Sequence, residues 1–281
     1  MPFMDNGEYK IWFEDECFAP SWRPRDTLVI QHGFGRNSAF WRHWIPKLSD
    51  TYRIVRPDLR GHGRSTSSPA PWSFEELVDD LAEFIRELGA GKVHLLGEAS
   101  GGMLAIGVAA LHPNLVKSLI TSSTPQKIDL DHQRFFSAGR ESWREAILQL
   151  GSKGWAEWLI AQPGTVAQMG RRQRHWWLEQ FALTPAQILA DLSDVLITTD
   201  VAPLLPHVAA PALVLAPMQS AATSIAEQVK LAETIPNACL QPINGVGHEI
   251  YIDKVDECVA AVRQFLAKVN STPRQSSNKV D

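Results

Sequence analysis

The stretch Val93-His94-Leu95-Leu96-Gly97-Glu98-Ala99-Ser100-Gly101-Gly102 joins a short apolar run to a turn framed by two glycines. In a Gly-x-Ser-x-Gly turn, the central residue lies on a strained bend between a buried strand and a helix, and its side chain points at the substrate. Small residues must flank that bend, and Gly97 and Gly101 stand at the required positions. The central position holds Ala99, whose methyl group cannot attack a carbonyl carbon. The stretch therefore predicts the architecture of a catalytic turn, without covalent catalysis through residue 99.

Apolar runs alternate with amphipathic stretches on both sides of this turn, which is typical of helices that cross over a mostly parallel sheet. The runs predict strands over residues 9–18, 27–31, 52–56, 93–96, 115–122, 212–216 and 239–242. The amphipathic stretches predict helices over residues 73–88, 101–112, 224–235 and 252–269. In the first of these helices Ser73 is the predicted N-cap, and Glu76 follows three residues later, as in a capping box. We therefore predict an α/β fold.

The stretch from residue 125 to residue 208 lacks a buried-strand run, and five of the ten tryptophans fall in it. We interpret it as a helical insertion, or lid, in a single domain whose core comprises residues 1–124 and 209–270. Residues 271–281 are polar and are predicted to form a flexible tail. The basic run 170–175 has acidic residues nearby, so we interpret it as a solvated helix face rather than a nucleic-acid site.

Composition and charge argue against several classes of protein. The 281 residues are 44% hydrophobic and 21% charged, as in an ordinary globular protein, and the net charge of −4 argues against a polyanionic partner. No apolar run is long enough to span a bilayer, and residues 1–10 lack a signal-type stretch, so we expect a cytoplasmic protein. The cysteines Cys17, Cys239 and Cys258 are scattered and lack metal-ligand spacing. We expect no disulfide, no bound metal and no organic cofactor.

Four motifs, one of them the turn described above, follow one another along the sequence. They are His32-Gly33 after a strand, Asp58 with Gly61-His62-Gly63-Arg64-Ser65, the turn at residues 97–102, and Gly245-Val246-Gly247-His248 near the end. Over about residues 9–270 the chain resembles the α/β-hydrolase superfamily. Within it, the chain is similar to small bacterial members such as enol-lactone hydrolases, haloperoxidase-like esterases and carbon-carbon bond hydrolases. The resemblance implies an α/β-hydrolase fold with a helical lid between the sixth and seventh strands, and it narrows the fold more than the substrate.

The resemblance implies a role for each matching residue. Position 99 is that of the nucleophile, and His248 is that of the general base, which shuttles a proton between nucleophile and leaving group. The backbone N–H groups of Phe34 and Ser100 match the oxyanion hole. Because backbone donors survive a side-chain change at residue 99, a pocket for a tetrahedral intermediate can persist without its nucleophile.

The acid that orients the histidine in this superfamily has no clear counterpart here. A match without gaps places Ser220 at its usual position, and serine cannot act as the carboxylate. The alternative position after the sixth strand holds residues 121–124, again without a carboxylate. Asp129 and Asp131 come a few residues later and would reach the site only if the loop folded back. We expect Glu98 to point along the strand edge toward polar neighbours, so the acid stays unassigned.

Three explanations for Ala99 stay open at this point. In the first, which we favour, the chain is a hydrolase whose nucleophilic serine was replaced by alanine. In the second, a natural enzyme works without a nucleophile, as an isomerase, cyclase, lyase or cofactor-free oxygenase with His248 as general acid and base. In the third, a binding protein holds an apolar ligand under the tryptophan-rich lid. A fourth interpretation makes Ser100 the nucleophile by a shift of register, although Ser100 would then point away from His248.

The expected substrate is a small, largely apolar or aromatic ester, lactone or carbon-carbon bond compound, because aromatic pockets gain affinity by burying flat apolar surface. The side chains predicted to contact it are Arg36, Trp41, Trp143 and Trp176. Arg36 lies close behind the oxyanion turn, where its guanidinium would match a carboxylate on the ligand. The expected partner is this small molecule, with neither nucleic acid nor membrane, and a homodimer is left open.

Overall fold

A single sheet organises the computed structural model, which describes residues 3–5 and 7–271. Its strands are β1 Phe3–Asp5, β2 Lys10–Glu16, β3 Thr27–Gln31, β4 Arg53–Pro57, β5 Val93–Glu98, β6 Val116–Ser122, β7 Ala212–Gln219 and β8 Ala238–Val246. They lie in the order β1-β2-β4-β3-β5-β6-β7-β8. The pairs β1–β2 and β2–β4 are antiparallel, and every other neighbouring pair is parallel. The mostly parallel sheet confirms the predicted α/β class.

The two central strands carry the residues that form the site. Every residue of β3 and β5 is buried, because a parallel sheet is covered on both faces and its strands are continuous apolar runs. Gln31 at the end of β3 pairs with Gly97 near the end of β5. The turn after β3 and the turn after β5 therefore lie side by side at the carboxyl edge of the sheet, where open α/β sheets bind their ligands.

Helices cover both faces of this sheet. The α-helices are α1 Ile45–Leu48, α2 Phe74–Glu87, α3 Ser100–Leu111, α4 Leu130–Phe136, α5 Trp143–Ile160, α6 Arg171–Phe181, α7 Ala186–Thr198, α8 Ile225–Thr234, α9 Ile250–Asp253 and α10 Val255–Ser271. Two 3-10 helices span Ser38–Trp44 and Ala202–His207. The capping box predicted for α2 is confirmed, because Ser73 Oγ accepts the Glu76 N–H at 3.1 Å and Glu76 Oε2 accepts the Ser73 N–H at 2.6 Å.

Four helices, α4 to α7, follow one another between β6 and β7. Helix α5 is broken at Gly151, which has the left-handed φ of 70° that glycine adopts without strain. Among the described residues no single helix is long and apolar enough to cross a bilayer, and only α6 with α7 pass that test as a pair, bent by 80°. The division into a core and a lid stays a prediction, and residues 272–281 of the predicted tail lie outside the described residues.

The sequence did not predict β1 or the 3-10 helix Ser38–Trp44, and it predicted one final helix where the structure has α9 and α10, separated at Lys254. Strand β1 has only three residues and lies at the edge of the sheet, so it lacks the buried apolar run that identifies the inner strands. Short elements of this kind are held by their neighbours rather than by their own sequence pattern.

Candidate active site

The bend between β5 and α3 has the backbone of a strained catalytic turn. Ala99 has φ 50° and ψ −121°, a left-handed conformation that L residues rarely adopt. The glycines on either side leave no room for a side chain: a Cβ on Gly97 would overlap the Gly101 carbonyl, and one on Gly101 would overlap the His32 carbonyl. Close packing of α3 against β3 and β5 therefore holds residue 99 in this conformation even though it carries only a methyl group.

A pocket of about 80 Å³ opens beside Ala99. Apolar and aromatic side chains make most of its wall, and the residues that line it are Phe34, Arg36, Glu98, Ala99, Ser100, Pro125, Ile128, Phe136, Trp143, Trp155, Leu159, Thr165, Leu196, Ala222 and His248. The rings pack against each other, with centroids 4.6 Å apart for Phe34 and Trp143 and 4.7 Å apart for Phe136 and Trp143. The segment between β6 and β7 thus supplies half of the wall, and the carboxyl edge of the sheet supplies the polar groups.

His248 reaches the pocket from the loop after β8. Its backbone is fixed on both sides, because its N–H donates to the Thr165 carbonyl at 2.8 Å and its carbonyl accepts the Ser123 hydroxyl at 2.6 Å. The ring Nδ1 lies 3.5 Å from Ser220 Oγ, and the ring Nε2 lies 3.7 Å from Glu98 Oε1. Burial, together with the positive charge of Arg36, lowers the pKa of His248 to about 3. The imidazole is therefore neutral at physiological pH, as a general base must be.

Glu98 reaches polar neighbours, as expected, but it also faces the pocket, which the sequence did not predict. Its side chain is buried and lines the pocket, with Oε2 accepting the Gly33 N–H at 2.8 Å. The Gly33 backbone lies against this carboxylate because residue 33 has no side chain. Burial raises the pKa of Glu98 to about 7, against the opposing effects of the Arg36 charge and the Gly33 hydrogen bond. A carboxylate therefore faces His248 on the ring nitrogen opposite to the one near Ser220.

The two amides predicted to form the oxyanion hole are available. Phe34 and Ser100 both line the pocket, and neither N–H donates to an acceptor within residues 3–5 or 7–271. The Ser100 hydroxyl is also buried without a hydrogen-bond partner in this part of the chain, and it forms no hydrogen bond with His248. Both predicted donors thus belong to residues of the pocket wall, and neither has a protein acceptor in this part of the chain.

The predicted acid candidates do not provide a carboxylate to His248 Nδ1. Ser220 Oγ accepts the N–H groups of Ala222 and Thr223, both at 3.2 Å, and so orders the turn before α8. Asp129 caps α4 by accepting the His132 N–H at 2.9 Å, and Asp131 is exposed. The loop after β6 therefore does not fold back. Among the described residues, the one carboxyl group within 4.0 Å of a His248 ring nitrogen is that of Glu98, 3.7 Å from Nε2.

Arg36 lines the pocket, but its guanidinium is already paired. It meets the buried Glu249 carboxylate at 2.5 Å and donates to the Phe34 carbonyl at 2.9 Å. Trp177 lies 4.6 Å from the guanidinium carbon and donates its Nε1–H to the other Glu249 oxygen at 2.8 Å. Arg36 is thus paired with a carboxylate of the protein itself, that of Glu249. The prediction that Arg36 binds a ligand carboxylate is not supported.

Two of the tryptophans predicted to contact the substrate do not line this pocket. Trp41 is fully buried and stacks on Tyr251 with centroids 4.3 Å apart, and Trp176 packs on Phe40 with centroids 5.1 Å apart. Trp41 is part of the hydrophobic core, whereas the partly buried Trp176 packs against that core from outside. Trp143 does line the pocket, beside Trp155, which was not among the predicted contacts. Both belong to α5. Because this helix is broken at Gly151, the spacing of the two tryptophans in the sequence does not follow a single helical repeat.

Within the described ranges, no group of three or more His, Cys, Asp or Glu side chains is arranged to hold a metal ion.

Comparison with known proteins shows which proteins this chain is similar to. A model of the α/β-hydrolase fold matches residues 26–163. A protein provisionally named carbamate hydrolase RutD, from Stutzerimonas stutzeri (strain A1501), is 29% identical over 229 residues, which cover 79% of this chain and 84% of the relative.

Two solved structures show the same fold over nearly the whole chain. A hydrolase from Pseudomonas aeruginosa PA01 has a TM-score of 0.82 at 20% identity and covers 94% of this chain and 97% of its own. A thermophilic esterase from Thermogutta terrifontis, with malate bound, has a TM-score of 0.79 at 26% identity and covers 95% and 96%. The chain has the α/β-hydrolase fold, as its motifs predicted, and its similarity to these proteins supports a place in the α/β-hydrolase superfamily. Within that superfamily it is similar to an esterase and to a carbamate hydrolase.

Proposed function

We propose that this chain is a hydrolase whose pocket accepts a small, mostly apolar acyl compound, such as an ester, lactone or carbamate. The observation that carries the proposal is the bend at Ala99, which keeps the strained φ of 50° in a pocket shared with His248 and the amides of Phe34 and Ser100. Backbone strain of this kind costs on the order of 1–3 kcal/mol and clusters at sites where it serves a function. A pocket that only binds an apolar ligand has no need of such a bend.

The pocket also bears on the substrate. Its volume of about 80 Å³ is well below the roughly 300–1,000 Å³ of a site for a drug-sized ligand. Apolar and aromatic side chains make most of the wall, so the acyl part of the substrate is expected to be compact and apolar. The relatives named as an esterase and as a carbamate hydrolase act, by those names, on carbonyl groups with an oxygen or nitrogen leaving group. The same bond type in a small molecule suits this pocket.

The reaction assigned to this pocket is attack on the carbonyl carbon, with the oxyanion bound by the N–H groups of Phe34 and Ser100. His248 is neutral and lies at the pocket, so it can take up a proton from the attacking group. If residue 99 were serine, its hydroxyl would be the attacking group and an acyl-enzyme would form.

The test is a side-by-side assay of this chain and its Ala99→Ser variant on short aryl esters, lactones and aryl carbamates. We expect Ala99→Ser to hydrolyse at least one of them with a burst, and mass spectrometry to detect the acyl group on residue 99. The double variant Ala99→Ser/His248→Ala keeps the hydroxyl and is expected to lose at least about 100-fold in rate, because proton transfer typically contributes that much.

Ala99→Gly is the matched control, since it changes the same residue without adding a hydroxyl and is expected to give no burst. The proposal is overturned if neither this chain nor folded Ala99→Ser hydrolyses any member of the panel.

A further inference from the structure

One buried charge of the pocket has no role in the mechanism of a serine hydrolase. Glu98 is 1% exposed, and a carboxylate in such a place is costly unless it is hydrogen-bonded or paired. Its Oε2 accepts the Gly33 N–H, while Oε1 forms no hydrogen bond within residues 3–5 and 7–271. The ring nitrogen Nε2 of the neutral His248 lies 3.7 Å from Oε1. Oε2 of this carboxylate is therefore bound to the backbone, and Oε1 faces His248, the proposed base.

The separation of these two atoms suits one bridging water molecule. A distance of 3.7 Å exceeds the roughly 2.7–3.2 Å of a direct hydrogen bond, and polar contacts of this length are commonly bridged by water. A water oxygen about 2.8 Å from each atom completes a triangle on that base. The side chain of residue 99 ends at Cβ, so it offers no hydroxyl that would compete for this position. In the Ala99→Ser variant, the new hydroxyl would compete for that space.

The surrounding charges leave this pair able to accept a proton near neutral pH. Burial and the Glu249 carboxylate raise the pKa of the Glu98 carboxyl, the Arg36 guanidinium and the Gly33 N–H lower it, and the net result is a pKa of about 7. Burial lowers the pKa of His248, so the ring carries no charge of its own. A general base works best when its pKa lies near the working pH, because it is then both ionised and basic enough to take a proton.

We propose that Glu98 and His248 hold a water molecule at the position of the absent nucleophile hydroxyl, and that Glu98 is the general base which deprotonates this water for attack on the acyl carbon. This inference rests on the proposed function, because it assumes that the pocket hydrolyses an acyl compound. It assigns the chain a direct, single-displacement route with no acyl-enzyme.

The step balances with the groups at hand. The water oxygen forms a bond to the acyl carbon while one of its protons moves to Glu98 Oε1, and the carbonyl electron pair moves to the oxygen bound by the amides of Phe34 and Ser100. The tetrahedral intermediate then re-forms its carbonyl and breaks the bond to the leaving oxygen or nitrogen. The proton returns from the Glu98–His248 pair to that leaving atom, so both side chains end as they began. An ester gives a carboxylic acid and an alcohol. A carbamate gives a carbamic acid and an alcohol when oxygen leaves, or a carbonic acid monoester and an amine when nitrogen leaves.

The experiment compares this chain with Glu98→Gln on the most reactive ester of the panel, between pH 5 and pH 9. Glutamine has the same shape and can still accept the Gly33 N–H, but it cannot take a proton. We expect the unaltered chain to turn over without a burst, with a rate that rises with pH about a midpoint near 7. Glu98→Gln should lower kcat at least about 100-fold, and its rate should no longer rise with pH.

Two further variants keep the test decisive. Glu98→Asp retains the carboxylate but withdraws it by one methylene, so kcat should fall while the pH limb persists, which a purely structural role would not produce. Glu227 is the matched control, because its partly buried carboxylate also accepts a backbone N–H, from Gln126, and also has a raised pKa, yet it does not line the pocket. Glu227→Gln should leave kcat and the pH profile unchanged.

The failures of the two proposals are distinguishable. If Ala99→Ser hydrolyses the panel but the unaltered chain does not, the hydrolase assignment stands and the role of Glu98 is wrong. The role of Glu98 is also wrong if the unaltered chain turns over and folded Glu98→Gln keeps its rate and pH limb, or if an acyl adduct is found on the unaltered chain.

Discussion

At the scale of single residues, the bend depends on glycine for close approach rather than for flexibility. Gly101 packs its Cα directly against the His32 backbone, so Gly101→Ala must push α3 away from β3. We expect a loss of about 1–3 kcal/mol or more in the free energy of unfolding, as for overpacking elsewhere. Gly154 in α5 is the control, since a Cβ there would meet only Leu150, at 3.4 Å.

Gly154→Ala should gain about 0.5–1 kcal/mol, because alanine loses less entropy in a helix than glycine. Urea unfolding of both variants measures the difference. Equal effects at the two positions would show that residue 101 tolerates a side chain and that the packing of the bend is looser than described.

Single residues also show which features of the site could be predicted from the sequence and which could not. Gly97, Gly101 and the small residue Ala99 between them are close in sequence, so the bend could be predicted from the sequence. The direction of Glu98 could not, because it is set by an N–H group 65 residues away in sequence. Arg36 likewise finds its partner Glu249 across 213 residues. A charge whose partner is distant in sequence looks free until the fold is known.

At the scale of elements, the inner strands and the helices that flank them were predictable, since β3 and β5 are buried throughout and α2 begins with a complete capping box. Each of these signals lies within one element. The walls of the pocket were less predictable, because they depend on how α5 breaks at Gly151 and on which tryptophans then turn inward. Trp143 and Trp155 face the pocket, whereas Trp176 faces the core.

One hydrogen bond ties α6 to the loop that carries His248. Trp177 donates to Glu249, the residue next to His248, and both side chains are buried. A hydrogen bond to a charged group contributes about 1.5–3 kcal/mol, so we expect Trp177→Phe to destabilise the chain by at least this amount and to speed amide exchange in α6. Hydrogen exchange and urea unfolding measure the two effects.

Trp177→Phe also removes packing, so the bond itself is isolated by a double-mutant cycle with Glu249→Gln. A coupling energy of about 1 kcal/mol or more is expected for groups in direct contact. A coupling near zero would mean that the two side chains act independently and that this bond does not anchor α6.

At the scale of the whole molecule, four buried imidazoles make stability depend on pH. Burial lowers the pKa of His32 and His94 to about 4 and that of His62 and His248 to about 3. In the unfolded chain these rings bind protons below about pH 6.5, so between about pH 4 and 6.5 the unfolded state holds more protons than the folded state. The free energy of unfolding therefore rises with pH across this window and is lost as pH falls through it.

Glu98 opposes this trend, because its pKa is raised to about 7 and the folded chain keeps a proton that the unfolded chain releases. The carboxyls of Glu16, Asp58 and Glu227, whose pKa values burial also raises, act in the same direction. We still expect the four strongly shifted imidazoles to determine the sign of the change in the free energy of unfolding with pH. At pH 5 each of these rings is expected to cost on the order of 1–2 kcal/mol relative to pH 7.

Urea unfolding at pH 5, 6 and 7 measures this slope, and His62→Asn measures the share of one ring. That variant should reduce the slope by about one proton, whereas His175→Asn, which changes an exposed ring on α6, should not alter it. A free energy of unfolding that is equal or greater at pH 5 would contradict the argument, because it would require the buried rings to be charged in the folded chain. His62 is buried beside His32, with ring centroids 5.5 Å apart, and two imidazolium charges at that distance would repel each other.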